Sequence, residues 1–276
     1  MGERMEDGDM VYASDLAGKV AVVVGGSTGI GAATALRLAS AGAAVVIGGH
    51  EADDVKAVVD RLGAQGAVVD GDVGDVRNDD DMARLCATAA DRFGGLDVLV
   101  YCAGIQRYGT VVDTTASGFD EVIAVNLRGL YLAAHHAVPR MRERGGGAIV
   151  AVASVQAHAT QKGVAAYSAS KGGIVALTRA MAIDHAADCI RVNVVSPGSV
   201  DTPMLRRSAR QFGNGRAEDD VLRDWGASHP LGRVARADEV AEVIAFLAGP
   251  RASFVTGAEI RVDGGLLANL AVALPE

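Results

Sequence analysis

The sequence predicts one α/β domain built on a doubly wound, seven-stranded parallel sheet with helices on both faces. Three observations lead there. Seven short runs of mostly valine, isoleucine and alanine recur along the chain, and their near-continuous apolar character is that of strands covered on both faces. Alanine-rich segments of helical period alternate with them, as the crossovers of a parallel sheet require. A glycine-rich turn closes the first run and opens the first helical segment.

In chain order, Val20 to Val24 is an unbroken valine and alanine run and forms the first strand, followed by a helix from Gly29 to Ala41. Ala44 to Ile47 is the second strand and Ala52 to Leu62 its helix. Ala67 to Val69, the shortest strand, leads into a helix over Asp79 to Phe93. Val98 to Tyr101 is the fourth strand. Gly118 to Arg142 reads as one long helix, with Pro139 near its end, where its ring and missing N–H kink or close the helix. Ala148 to Val152 is the fifth strand, Ala165 to Ala187 the next helix and Arg191 to Val195 the sixth strand. Ala237 to Leu247 and Glu259 to Val262 supply the last helix and strand. Thr202 to Pro230 breaks the alternation: it is rich in Arg, Asp and Gly, has no strand partner, and is long enough to suggest a lid over a site.

At 276 residues the chain suffices for one large domain, here residues 16–276, and no composition break divides it. The net charge of −8, with no basic stripe, argues against a nucleic-acid surface. The three cysteines, Cys86, Cys102 and Cys189, are odd in number and lack metal-ligand spacing, as expected of reduced thiols in a cytoplasmic protein without a bound metal. Residues 1–15 carry Glu3, Glu6, Asp7 and Asp9 without an apolar run, so they read as a loose tail rather than a signal peptide or anchor. No run approaches the roughly 20 apolar residues that span a bilayer, and a soluble protein is expected.

Tyr167 and Lys171 stand four residues apart, with Ser154 thirteen residues upstream of the tyrosine. A spacing of four puts both side chains on one helical face, roughly 5–6 Å apart at Cβ, so an ammonium beside the phenol favours its phenolate. Moving a phenol from about 10 to about 7 takes roughly 4 kcal/mol of preferential stabilisation, which one close cation and a cofactor's charge can supply. Taken singly, the tyrosine reads as a half-buried aromatic, the lysine as a solvated face and the serine as a strand-end cap; their joint spacing favours hydride chemistry with a proton-trading tyrosine.

The turn after the first strand holds Gly25, Ser27, Thr28, Gly29, Ile30 and Gly31. Glycines there let backbone N–H groups and a helix N-terminus approach a pyrophosphate. Asp72 and Val73 follow the third strand, placing a carboxylate either near an adenine amine or in a turn or helix cap. Cys102, Ala103 and Gly104 offer a small-residue floor for a ring, the thiol itself being filler. At the end of the second strand an acid would bind a ribose 2′-hydroxyl and an arginine a 2′-phosphate. This chain has Gly48, Gly49 and His50 there. The missing carboxylate and His50 tip the balance slightly to NADP(H) over NAD(H), against Glu51, Asp53 and Asp54 nearby.

From Leu16 to Gly265 the residues resemble the classical short-chain dehydrogenase/reductase family, whose fold is of the Rossmann type. The resemblance rests on Val24 to Gly31, on Asn126 within Val125-Asn126-Leu127-Arg128-Gly129, on Ser154, and on Tyr167-Ser168-Ala169-Ser170-Lys171. Pro197 to Met204 resembles the segment that cradles the nicotinamide carboxamide, so Pro197, Gly198, Val200 and Thr202 join the cofactor set, as do Tyr167 and Lys171. Val262 to Gly265 resembles the family's C-terminal signature. Val24 stands where the family usually has threonine, and Tyr101-Cys102-Ala103-Gly104 where it usually has Asn-Asn-Ala-Gly.

The resemblance implies an NAD(P)-dependent oxidoreductase that interconverts a secondary alcohol and a ketone. Tyr167 is then general acid or base, Lys171 lowers its pKa and holds the nicotinamide ribose, Ser154 polarises the carbonyl, and Asn126 holds a water linking Lys171 to solvent. Gln106, Tyr108, Gln156, His158, Gly163, Ser199 and Trp225 are expected to face substrate, and His158 and His229 are otherwise structural or surface residues. The glutamines either are exposed loop polarity or hydrogen-bond a polyol, a cyclic hydroxyketone or an oxygenated secondary metabolite. A homotetramer is implied through the helices around Gly118 to Arg142 and Ala165 to Ala187. Two other classes fit the same motifs: a dinucleotide-binding regulator without turnover, and an epimerase or dehydratase using a bound dinucleotide.

Overall fold

The computed structural model describes residues 15–270; all of the expected N-terminal tail except Asp15 lies outside them. Its seven strands are β1 (Val20–Val24), β2 (Ala44–Gly49), β3 (Val69–Val73), β4 (Val98–Tyr101), β5 (Gly147–Val152), β6 (Ile190–Pro197) and β7 (Glu259–Val262). All pair in parallel, in the order β3-β2-β1-β4-β5-β6-β7. The chain winds outward from β1 to one edge, then returns to β4 and winds to the other. A crevice therefore opens where β1 and β4 end side by side, the place where open α/β sheets bind ligands.

Nine α-helices cover the described sheet: α1 (Gly29–Ser40), α2 (Ala52–Ala64), α3 (Asp79–Phe93), α4 (Ala116–Ile123), α5 (Gly129–Glu143), α6 (Ala165–Asp184), α7 (Pro203–Phe212), α8 (Glu218–Gly226) and α9 (Ala237–Ala248). Alternate strand residues feed the two layers. Val22 and Val24 point to the side of α3, α5 and α6, with Leu85, Leu130 and Ile174. Ala21 and Val23 point to the side of α1, α2 and α9, with Leu38, Leu62 and Ile244. Among the described residues no helix is long and apolar enough to cross a membrane.

Local chemistry explains the boundaries. Asn78 caps α3 by accepting from the N–H groups of Asp80 and Asp81, three aspartates occupy its first turn, and Gly94 ends it with φ of 83°, each a favourable choice at that position. Arg191 of β6 donates to the carbonyls of Leu247, Ala248 and Gly249 at the end of α9, satisfying groups that the helix leaves open.

Two expectations need correcting. The third strand is Val69–Val73 rather than Ala67 to Val69, in register with Val45–Gly49. As an edge strand it carries Asp70 and Asp72, and α2 presses so closely that a Cβ on Gly71 would lie 2.6 Å from the Val55 side chain. The long fourth helix is two helices joined by a π-helical turn, Ala124–Arg128, in which the Gly129 N–H donates to the Ala124 carbonyl. The segment from Thr202 to Pro230 is largely helical, as α7 and α8, packed on each other through Ala209, Val221 and Leu222.

Candidate active site

A cavity of about 1270 Å³ opens at the C-terminal ends of the strands. A site for one small ligand runs from about 300 to about 1,000 Å³, so a cofactor and a substrate fit together. Gly25, Ser27, Thr28, Gly29, Ile30 and Gly31 all line it. Thr28 precedes α1 with an extended backbone and no side-chain cap, and the first turn holds no acid. Its N–H groups and positive end are thus open to an anion. Gly25 has φ of +74°, and a Cβ there would lie 2.6 Å from the Ala103 nitrogen, so the glycine permits the turn to lie against the end of β4.

Ser154, Tyr167 and Lys171 meet on one wall of this cavity. Ser154 follows β5, and its hydroxyl accepts from the Gln156 N–H at 3.1 Å. Tyr167 and Lys171 lie on α6, with Lys171 Nζ 5.4 Å from the tyrosine ring centroid and donating to the Val152 carbonyl at 2.9 Å. Burial pushes the phenol up to about 12, against the pull of the nearby Ser154 hydroxyl. Burial also brings Lys171 down to about 8. Without a dinucleotide's charge the phenol stands above its ordinary value, because desolvation dominates and the ammonium is engaged by a carbonyl.

Asn126 sits behind the cavity, fully buried in the π-helical turn. Its Oδ1 accepts from the Ile105 N–H at 2.8 Å, and its Nδ2 donates to the Ile105 carbonyl at 3.0 Å and Ser170 Oγ at 2.9 Å. Ser170 in turn donates to the Tyr167 carbonyl at 2.7 Å. Both N–H bonds of the amide are taken, so Asn126 ties the strand-β4 loop to α6. A Cβ on Gly104 would lie 3.4 Å from Asn126 Oδ1 and 3.6 Å from Lys171 Nζ.

Of the remaining expected residues, Cys102, Ala103, Gly104, Pro197, Gly198, Val200 and Thr202 line the cavity, as do His50, Gln106, Tyr108, Gln156, Ser199 and Trp225. Burial pushes the Cys102 thiol up to about 12, which keeps it an inert filler. Asp72 lines the cavity but is held by Arg84 at 3.0 Å and accepts from Thr88 at 3.1 Å. Val73 does not line it; its carbonyl accepts from Arg84. His158 and Gly163 also lie outside the lining. His158 instead meets Glu259 at 2.7 Å, and the Gly163 carbonyl accepts from the Gly109 N–H at 2.7 Å.

The cavity also takes in Lys162, Arg207 and Phe212, which sequence spacing did not single out, and His229, expected to be structural or at the surface. His229 is buried, its Nε2 accepts from the Ser199 N–H at 3.1 Å, and its Nδ1 has no partner. Tyr108 spans from the β4 loop to α7, donating to Ser208 at 2.7 Å and standing edge-on to Phe212 at 4.5 Å. Among the described residues no group of three or more His, Cys, Asp or Glu side chains could hold a metal ion.

The family model described as Enoyl-(Acyl carrier protein) reductase matches residues 24–267. "Dehydrogenase/reductase SDR family member 4" of Oryctolagus cuniculus is 35% identical over 92% of this chain and 96% of its own length. The chain belongs to the classical short-chain dehydrogenase/reductase family. Another similar member is the cis-4-hydroxycyclohexanecarboxylate dehydrogenase of Sinomonas cyclohexanicum, 44% identical over 91% of this chain and 97% of that protein. Among solved structures, an actinorhodin polyketide ketoreductase variant with NADPH is 32% identical, with a TM-score of 0.87 over 92% of this chain and 98% of that one. These relatives are dehydrogenases and reductases, and this short-chain dehydrogenase/reductase is an oxidoreductase of the same family.

Proposed function

We propose that this enzyme interconverts a secondary alcohol and a ketone with a nicotinamide dinucleotide, Tyr167 carrying the proton. The observation behind the reading is the meeting of the Tyr167 phenol, the Ser154 hydroxyl and the Lys171 amine on one cavity wall that also holds the glycine turn. The open N-terminus of α1, the small-residue floor of Cys102, Ala103 and Gly104, and the Pro197 to Thr202 wall fit such a dinucleotide. When bound, it supplies the hydride acceptor or donor.

The residues of the chain handle the proton and the oxygen. In the oxidation direction the substrate O–H bond breaks, its proton passes to Tyr167 Oη, and the carbon loses its hydrogen with both bonding electrons as hydride. Reduction reverses both movements, and the protonated phenol is already the state that burial favours at neutral pH. Ser154 donates to the oxygen where charge develops. Lys171, inside the same wall, stabilises the phenolate and would hold the ribose hydroxyls of a bound dinucleotide. Asn126 acts by holding the Ile105 loop and α6 in register.

The charge around His50 supports NAD(H), reversing the slight lean of the sequence to NADP(H). Glu51 and Asp54 line that end of the cavity together with Asp72, Asp75 and Asp81. Arg77 and Arg84 are paired with Asp75 and with Asp72 and Asp81, so among the described residues no arginine lining that end is left unpaired for a 2′-phosphate. A homotetramer belongs to the same reading, supported by the exposed Tyr131 on α5 and Ile183 on α6, and sedimentation as a monomer at micromolar concentration would refute it.

The test is a panel of cyclic and acyclic secondary alcohols and ketones followed at 340 nm with both dinucleotides. Stoichiometric absorbance change with at least one of them is expected. None across the panel, with intact dinucleotide binding, favours a regulator; product formed without net absorbance change favours an epimerase or dehydratase.

A further inference from the structure

The cavity is divided by charge. Its carboxylates Glu51, Asp54, Asp72, Asp75 and Asp81 gather at the His50 end, and Glu121, the remaining one, is held by Arg107 at 3.0 Å. At the substrate end stand Lys162, between Ser154 and Tyr167 in the chain, and Arg207 on α7. Neither cation makes an ion pair or side-chain hydrogen bond among the described residues.

Arg207 lacks a partner for a geometric reason. Arg206 pairs with Asp201 and Asp219, and Arg210, one turn further on the same face of α7, pairs with Glu218. The other α8 carboxylates are also taken, Asp220 by Arg223 and Asp224 by Arg216. Arg207 is rotated away from that face by about 100° and lines the cavity instead. In a chain of net charge −8, two exposed, unpaired cations that line the same cavity offer a local site for an anion. Gln156 lines the same cavity, and its Oε1 is buried without a partner.

We propose that the substrate is a hydroxy acid or oxo acid whose carboxylate is held by Lys162 and Arg207 while its alcohol or ketone carbon meets Tyr167. The proposal rests on the reading of the site as an alcohol dehydrogenase, and it names the substrate class. Charge-assisted hydrogen bonds to the carboxylate orient the molecule, and a neutral analogue leaves both cations without a partner.

The test compares 3-hydroxybutyrate and 4-hydroxycyclohexanecarboxylate with their methyl esters on the full chain with saturating dinucleotide. At least one acid is expected to exceed its ester tenfold or more in kcat/KM at low salt, an advantage that shrinks as ionic strength rises. Arg207→Gln and Lys162→Gln are each expected to raise KM for that acid several-fold with kcat moved less, and the double variant to bring the acid-to-ester ratio within twofold of one. Esters turned over as well as acids, or a ratio that survives in the double variant, would overturn the proposal while leaving the dehydrogenase reading intact. Failure of every acid, ester, alcohol and ketone to react would overturn that reading. The carboxylate site is then judged by calorimetry on the dinucleotide-bound chain: acid binding lost in the double variant supports it, and no acid binding overturns it.

Discussion

The Tyr101 hydroxyl, at the end of β4, donates to the Val125 carbonyl at 2.5 Å, inside the π-helical turn between α4 and α5. A Cβ on Gly129 would overlap that hydroxyl, so the tyrosine and the glycine are fitted to each other. The bond fixes the turn that carries Asn126 into the Ile105 loop, and it does so from a position where the family usually has asparagine.

Tyr101→Phe leaves a buried carbonyl unsatisfied and is expected to cost about 1–3 kcal/mol in denaturant unfolding. Gly129→Ala is expected to cost more than Tyr101→Phe, because the new methyl meets the hydroxyl. Combining the two should recover part of that loss, since the phenyl ring lacks the overlapping oxygen. Strictly additive losses in this cycle would show that the two positions do not interact.

The pH dependence follows from the coupled Tyr167 and Lys171 pair. Lys171 loses its proton first, at about 8, and the phenol stands at about 12. The form with charged amine and ionised phenol is a tautomer of the singly deprotonated pair. Its population rises up to about pH 8 and then levels. Oxidative kcat/KM should therefore climb about tenfold per pH unit below the inflection and flatten above it. Reductive kcat/KM should be level below it and fall above. An inflection above pH 9, or the same trend in both directions, would contradict the coupling.

Lys171 also marks a conflict between stability and chemistry. Its folded value of about 8 lies below the ordinary 10.5, so between those values the unfolded chain binds more protons and stability rises with pH. Below about pH 8 the full penalty applies. Lys171→Met removes the charge but leaves the Val152 carbonyl without its donor, for a net gain of about 1 kcal/mol at pH 7, or roughly 2–4 °C in Tm. That gain should shrink toward pH 10. A Tm advantage that grows with pH would have the wrong sign.

The cofactor end gives a fourth test. NADH should bind at least tenfold more tightly than NADPH by fluorescence titration. His50→Arg combined with Glu51→Gln should narrow or invert that ratio, since it adds a bidentate phosphate partner and removes a repelling carboxylate. Tighter NADPH binding by the unmodified chain would show that His50 outweighs the acids.

What was legible in the sequence was whatever periodicity or fixed spacing encodes. Tyr167 and Lys171 share a helical face because they are four residues apart, and the glycine turn follows an unmistakable valine run, so the sheet, the cavity wall and its mouth were readable. β3 was misplaced because an edge strand needs no apolar run, and its register comes from β2. The π-helical turn was invisible because shifting one hydrogen bond along Ala124–Arg128 leaves no mark in composition. Lys162 and Arg207 were missed for a different reason: an arginine's availability depends on whether neighbours on α8 claim it, and pairing is a property of the fold.

Whether Tyr167 carries the proton is decided by steady-state turnover of Tyr167→Phe measured beside the dinucleotide affinity of the same variant. The expected result is a loss of at least a thousandfold in kcat with the affinity changed less than threefold. A variant that keeps even a tenth of the rate would contradict it.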